Sequence, residues 1–299
     1  MTTPAGTAPF RFFPLQVART RRLGPSLVRV TFTGAGDEDL KGFASGGRDQ
    51  SLSLFLPHPG QPEPVMPPLD DGDLYAALGA WRAMPDDVRA VMRSYTVREQ
   101  RLTGDGGTEV DIDFAVHEDG GPACRWAQGA SEGDRVVVLG PAVETNTGVR
   151  FQLPEDADEV LIWGDETALP AASAILEWLP AGTRAQVWLE VPHAGDRLEP
   201  RTAADATVTW LVRDEGAPPA VEAVRAAEVT GAAPYVWIAG ESGAVKALRR
   251  HFVNERGFDR RRVTFVGYWR KGLSEDALRE APEAGTEADP DNDGGQVAL

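Results

Sequence analysis

Apolar and polar residues alternate with period two along residues 27–32 (LVRVTF), 52–55 (LSLF), 110–114 (VDIDF) and 135–139 (RVVVL). That spacing predicts strands with one face on a core. Clusters of Gly, Pro and Asp separate these runs, and such clusters mark turns. The first half, over residues 9–153, therefore predicts a small antiparallel β-barrel. Between about residues 70 and 92 the spacing fits a helix, or equally a loop carrying a short helix.

After Pro154-Glu155-Asp156-Ala157-Asp158 the period changes. A continuous apolar run at 160–163 is followed by a helix-like run at 168–179. Strand-like segments at 186–191, 208–212, 235–239 and 263–268 then alternate with helix-like segments near 219–228 and 243–257. Strands alternating with helices predict a parallel sheet built of βαβ units. The expected organisation is all-β plus α/β: the barrel over 9–153, a parallel-sheet domain over 154–273, and a tail over 274–299. Residues 281–299 carry five acids and no base, so the tail is expected to be disordered.

Composition narrows the function classes. The chain has 299 residues, 25% of them charged, and a net charge of −16. A nucleic-acid binder needs a basic footprint, and this balance opposes one. No apolar stretch approaches the roughly 20 residues of a membrane span, and the first residues lack the apolar run of a signal peptide. The single Cys excludes an internal disulfide and fits a reducing compartment. The four His residues are scattered singly, with no metal-ligand spacing. A cytoplasmic, soluble protein without membrane insertion or bound metal is expected.

Five segments could carry chemistry. Arg93-Ser94-Tyr95-Thr96-Val97-Arg98 brings a cation, an aromatic ring and a hydroxyl together on a strand, which suits a ligand with a phosphate and a flat ring. An exposed strand with surface Arg would look the same. On a regular strand Arg93, Tyr95 and Val97 share one face, with Thr96 and Arg98 on the other. Gly120-Gly121-Pro122-Ala123-Cys124-Arg125-Trp126-Ala127 opens a helix after a turn of small residues, and such a start aims N–H groups at an anion. It fits a plain strand–turn–helix connection with Trp126 in the core equally well. Trp163-Gly164-Asp165-Glu166-Thr167 and Gly240-Glu241-Ser242 lie between strand and helix, where parallel sheets bind nucleotides, although both also read as helix starts. Gly267-Tyr268-Trp269-Arg270-Lys271-Gly272 closes the last strand with aromatics and cations.

Taken in order, these segments resemble the siderophore-interacting protein family, over about residues 15–276. The family groups FAD-dependent ferric-siderophore reductases related to ferredoxin–NADP reductases. The resemblance implies an FAD-binding barrel followed by an NAD(P)H-binding domain. It implies that Arg93, Tyr95 and Thr96 hold the flavin ring and phosphate, with Thr96 near the reactive edge and no further catalytic side chain. It places Val116 and His117 on the adenosine side, and Ala123, Cys124, Trp126 and Ala127 against the pyrophosphate. Thr167, Tyr268 and Trp269 fall near the cofactors. Two departures matter. Cys124 stands where the family turn has Ser, and Ser51 and Ser53 stand where relatives often carry His and Lys. That leaves Arg48, Arg125 or Lys271 to meet an anionic ferric chelate.

The expected activity is electron transfer from NADH or NADPH through FAD to Fe(III) in a siderophore. An iron–sulfur protein is a possible alternative donor. Arg213 would suit a 2′-phosphate, whereas its neighbours Asp214 and Glu215 suit a ribose diol and lean the choice toward NADH. The rivals are a flavin reductase with another acceptor and a noncatalytic siderophore-binding protein.

Overall fold

A computed structural model describes residues 8–272 apart from 37–39, 70–72, 105 and 119. The acidic tail expected over 274–299 lies outside the described residues. Seven strands form one antiparallel sheet: β1 (Phe10–Gly24), β2 (Leu27–Gly34), β3 (Ser51–Leu56), β4 (Val91–Thr96), β5 (Glu99–Leu102), β6 (Thr108–Ala115) and β7 (Arg135–Pro141). Their order is β4-β3-β7-β1-β2-β6-β5. The sheet curls round a core of Phe13, Leu15, Val30, Phe32, Leu54, Ile112 and Phe114. β2 and β6 turn their apolar residues to this core and their polar residues to the other face.

β1 was not legible in the sequence, and the structure shows why. Phe12 and Phe13 are neighbours, yet both are buried. Phe13 points into the barrel. Phe12 points outward beneath the helix α1 (Leu74–Arg82), where it meets Phe55 and Trp81. A strand covered on both faces loses its period-two signature. β1 also carries Pro14, and its register slips between Val17 and Arg19 as it passes from β7 to β2. The helix α2 (Pro122–Gly129) buries Ala123, Cys124 and Ala127 in the same core as the barrel strands.

The second sheet comprises β8 (Glu159–Gly164), β9 (Arg184–Val191), β10 (Asp205–Val212), β11 (Pro234–Glu241) and β12 (Val263–Trp269), in the order β10-β9-β8-β11-β12 with every pairing parallel. The helix α3 (Leu169–Trp178) covers one face, while α4 (Ala220–Arg225) and α5 (Ser242–Arg250) cover the other. Ile162 and Trp237 pack on the first face, Trp163 and Ile238 on the second. Burial on both faces accounts for the unbroken apolar runs of the central strands. Among the described residues, no helix is long and apolar enough to cross a membrane.

The two sheets are stitched by buried carboxylates. Asp49, just before β3, accepts hydrogen bonds from the Phe151 N–H at 2.9 Å and from the Trp237 indole at 2.9 Å. Asp196 accepts the Ser26 N–H at 2.7 Å. Arg98 makes a two-pronged pair with Glu177 of α3, at 2.6 and 3.0 Å.

On the outer barrel wall Arg19 and Arg101 both donate to Glu109, at 2.6–2.9 Å. These bonds, Arg19 first, hold the Glu109 carboxyl down at about 2 against an ordinary 4.5. A depressed acid adds stability that is complete above the unfolded value and is lost as pH falls through the folded one. Glu109→Gln is therefore expected to cost on the order of 1–3 kcal/mol at pH 7. It should also flatten the loss of stability between about pH 4.5 and pH 2, as read by thermal unfolding across that range.

Candidate functional site

A cleft of about 1630 Å³ lies between the two sheets. Its barrel wall is β4, which has one sheet neighbour, β3. Its other wall is formed by the carboxyl ends of β8, β11 and β12. The order of the parallel sheet reverses between β8 and β11, and ligands of such sheets bind at that reversal.

Arg93, Ser94, Tyr95 and Thr96 all line the cleft. The alternation along β4 holds, with Val91, Tyr95 and Val97 packed on the barrel core and Met92 on the opposite face, and the cleft reaches residues of both faces at the end of the strand. Arg93 is buried, and its guanidinium donates to the Met92 carbonyl at 2.7 Å. Tyr95 packs on Phe114, ring centroids 4.5 Å apart. The Thr96 and Tyr268 hydroxyls hydrogen-bond across the cleft, joining the barrel to the end of β12. Burial, reinforced by the nearby Asp49 charge, pushes the Tyr268 phenol up.

The turn before α2 separates backbone from side chains. Val116, His117 and Gly121 line the cleft. Ala123, Cys124 and Ala127 bury their side chains in the barrel. Trp126 stacks on Phe32 at 6.2 Å with the rings 7° from parallel, and it meets Phe114 at 5.8 Å. These four side chains therefore do not face the cleft, because α2 turns its apolar side inward. The Cys124 thiol sits beneath the turn, accepting from the His117 N–H at 3.2 Å and donating to its carbonyl at 3.3 Å. What the turn offers the cleft is backbone. A Cβ on Gly120 would fall 2.0 Å from the Cys124 sulfur, whereas one on Gly121 would meet nothing within 4 Å.

The opposite wall centres on Asp165, a fully buried carboxylate. One oxygen accepts from the Thr167 N–H at 2.9 Å and the Thr167 hydroxyl at 2.5 Å. The other accepts from the Glu241 N–H at 2.8 Å and the Trp269 indole at 2.7 Å. Burial first, and the neighbouring Glu166 charge second, push Asp165 up to about 6. The sequence showed Asp165 only as a residue at a helix start. Its partners lie up to 104 positions away, and no local pattern signals them.

The cleft's cations are Arg22, Arg93, Arg150, Arg213, Lys246 and Arg270. Arg48, Arg125 and Lys271 do not line it, which corrects the cationic set expected from the sequence. Arg48 is spent on the Gly46 and Phe151 carbonyls and lies over the Trp178 ring at 5.0 Å. Arg125 donates to the Gly120 carbonyl. Of the last-strand pair, Arg270 faces the cleft and Lys271 does not. Ser53 is buried within the barrel sheet, whereas Ser51 reaches the cleft. Among the described residues, no three His, Cys, Asp or Glu side chains gather as they would round a metal ion.

The chain matches two family models, the siderophore-interacting FAD-binding domain over residues 16–145 and the siderophore-interacting protein over residues 157–272. It is 32% identical over 277 residues to a ferric vibriobactin reductase, ViuB, of Vibrio cholerae, covering 90% of this chain and 94% of that one. It is 32% identical over 263 residues to an NADPH-dependent ferric-chelate reductase of Escherichia coli, covering 87% and 93%. A siderophore utilization protein from T. fusca superposes with a TM-score of 0.73 at 34% identity, covering 90% of this chain and 96% of that one.

The two glycines give a paired prediction. Gly120→Ala drives a methyl into Cys124 and is expected to cost about 1–3 kcal/mol, lowering Tm by several degrees. Gly121→Ala, facing open space, should leave Tm within about 1 °C of wild type. Thermal unfolding of the two variants checks both.

Proposed function

The chain belongs to the siderophore-interacting protein family, and from that premise we propose that it is an FAD-dependent oxidoreductase that passes electrons from a nicotinamide dinucleotide to Fe(III) in a siderophore. The observation that carries the proposal is the single cleft onto which two walls open. One offers a buried Arg, an aromatic ring and a hydroxyl; the other offers the reversal point of a parallel sheet. Two cofactors bound on those walls would meet where Thr96 touches Tyr268.

The residues present fit FAD. Arg93 supplies a buried cation for a phosphate, and Tyr95 supplies a ring face. Gly121, with open space where a Cβ would stand, lets a pyrophosphate approach the start of α2. Val116 and His117 would border the adenosine. Bound FAD supplies the conversion between a donor that gives two electrons and an iron that takes one. The protein's part is placement and electrostatics. Arg93 neutralises phosphate, Thr96 and Tyr268 fix the ends of the two walls, and buried apolar surface keeps water away. No side chain acts as acid or base.

We assign the ferric chelate to the cations Arg150, Lys246 and Arg270, which give an acidic protein a basic mouth for anionic oxygen ligands. Reduction to Fe(II) weakens its hold on those hard ligands and so frees the metal. For the donor, Arg213 is the cation nearest the role of a 2′-phosphate partner. Its guanidinium is already taken by Glu166 at 2.7 and 3.0 Å and by Glu190 at 2.9 Å. That pairing supports NADH, although the Escherichia coli relative is named for NADPH. The lone, buried Cys124 supports a reducing compartment, which we take to be the cytoplasm.

The purified, FAD-loaded protein should reduce a ferric hydroxamate or catecholate under anaerobic conditions with NADH, as read by an Fe(II) chelator. Flavin bleaching without iron reduction would instead point to another acceptor. Arg93→Ala should weaken FAD binding by about 10–100-fold, the size of a lost charged hydrogen bond, measured by fluorescence titration. Glu190→Gln should raise kcat/KM for NADPH relative to NADH. An unchanged ratio would remove Arg213 from the account of donor choice.

A further inference from the structure

We propose that Asp165 is the positioning residue of the nucleotide wall: its carboxylate fixes the Trp269 indole and the two strand-to-helix turns against which a nicotinamide dinucleotide would lie. The proposal rests on the reading of the cleft given above and adds to it a residue that touches neither cofactor.

Three separate pieces of chain meet at this one side chain. Thr167 comes from the turn between β8 and α3, Glu241 from the turn between β11 and α5, and Trp269 from the end of β12. β8 and β11 are the strands on either side of the sheet reversal, so the carboxylate bridges the point where a nucleotide is expected. Thr167, Trp269 and Ser242 line the cleft, and Ser242 is tied to the same assembly by donating to the Trp269 carbonyl at 2.8 Å. The packing is specific to a carboxyl of this size. A Cβ on Gly240, whose φ is +138°, would fall 2.5 Å from the Asp165 carboxyl. Asp165 thus acts through Thr167 and Trp269 rather than by contact with a ligand.

Only an ionised carboxyl accepts from all of these donors. A protonated one has an O–H to place among N–H groups, with the Thr167 hydroxyl as its one partner able to accept, so the donor set is rearranged. The charged and titratable groups around it are Glu166, itself paired with Arg213; Glu241, which caps α5 and accepts from the Lys271 N–H; and Tyr268 of β12. Glu166 disfavours the charge on Asp165, and burial disfavours it further. With Asp165 pushed up to about 6, the assembly should be intact above that pH and should loosen as pH falls through it.

The test uses FAD-loaded, 15N-labelled protein, with NAD⁺ and NADP⁺ as non-reacting probes. The Trp269 indole N–H signal is assigned by its absence in Trp269→Phe. It is expected to shift with pH with a midpoint near 6 in the wild type and to stay flat in Asp165→Asn. Asp165→Asn should weaken dinucleotide binding by about tenfold, the size of one charged hydrogen bond, and leave FAD binding unchanged. Trp269→Phe, which keeps the ring and removes one donor, should weaken it less, and the double variant should be no weaker than Asp165→Asn alone. Equal dinucleotide affinity in wild type and both variants would overturn the proposal alone, as would additive losses or an indole signal that does not titrate. Failure of the wild type to bind either dinucleotide would overturn the reading of the cleft and this proposal with it.

Discussion

Asp49 carries a carboxylate into the seam between the two sheets, where it accepts the Arg150 and Phe151 N–H groups and the Trp237 indole. A buried carboxylate without partners would cost several kcal/mol, so the loop before β3, the segment after β7 and the centre of β11 are held to one arrangement that satisfies it. The cleft follows from that arrangement. With Asp49 in place, the end of β4 faces the end of β12, and the Thr96 and Tyr268 hydroxyls meet. Burial pushes Asp49 up despite these bonds, which indicates how much of its water it has given up.

The same device recurs. Asp196 takes the Ser26 N–H, Glu177 takes Arg98, Glu159 takes the Thr230 and Gly231 N–H groups, and Asp165 gathers the turns of the nucleotide wall. Part of the acid in this chain is therefore internal architecture rather than a solvated surface. The cleft gains from that use. Of its four acids among the described residues, Asp49, Asp113 and Glu166 are bound to backbone, indole or arginine partners and Glu118 is exposed, while Arg150, Lys246 and Arg270 reach its walls. A protein of net charge −16 can thus present a locally basic mouth, because field at short range depends on which charges face the opening.

Legibility followed periodicity. Strands with one apolar and one polar face, such as β2 and β6, alternate visibly, even where the polar face is buried against arginines, and the doubly covered β8 and β11 show apolar runs of strand length. β1 was lost because Phe12 and Phe13 are buried on opposite faces and Pro14 follows them. In the site, Arg93, Tyr95 and Thr96 were legible as a cluster because they are neighbours in sequence and the structure keeps them together at the cleft. Around Ala123, Cys124, Trp126 and Ala127 the glycine turn marks a place for backbone, while the burial of these side chains in the barrel core depends on strands distant in sequence. Which cations line the cleft is not legible, because nothing local distinguishes Arg270 from Lys271, or Arg150 from Arg48.

The amino-acid sequence by itself determined the two kinds of sheet, their order along the chain, and the compact motif on β4. Each of these depends on residues a few positions apart, and period and propensity act at that range. Only the tertiary structure decided which cations meet the cleft, that Asp165 rather than Thr167 is the centre of its wall, and that Ser53 is buried on the outer face of the barrel sheet beside Leu139. Those outcomes depend on groups as far apart as Asp49 and Trp237, or Asp165 and Trp269, which packing alone brings within hydrogen-bonding distance.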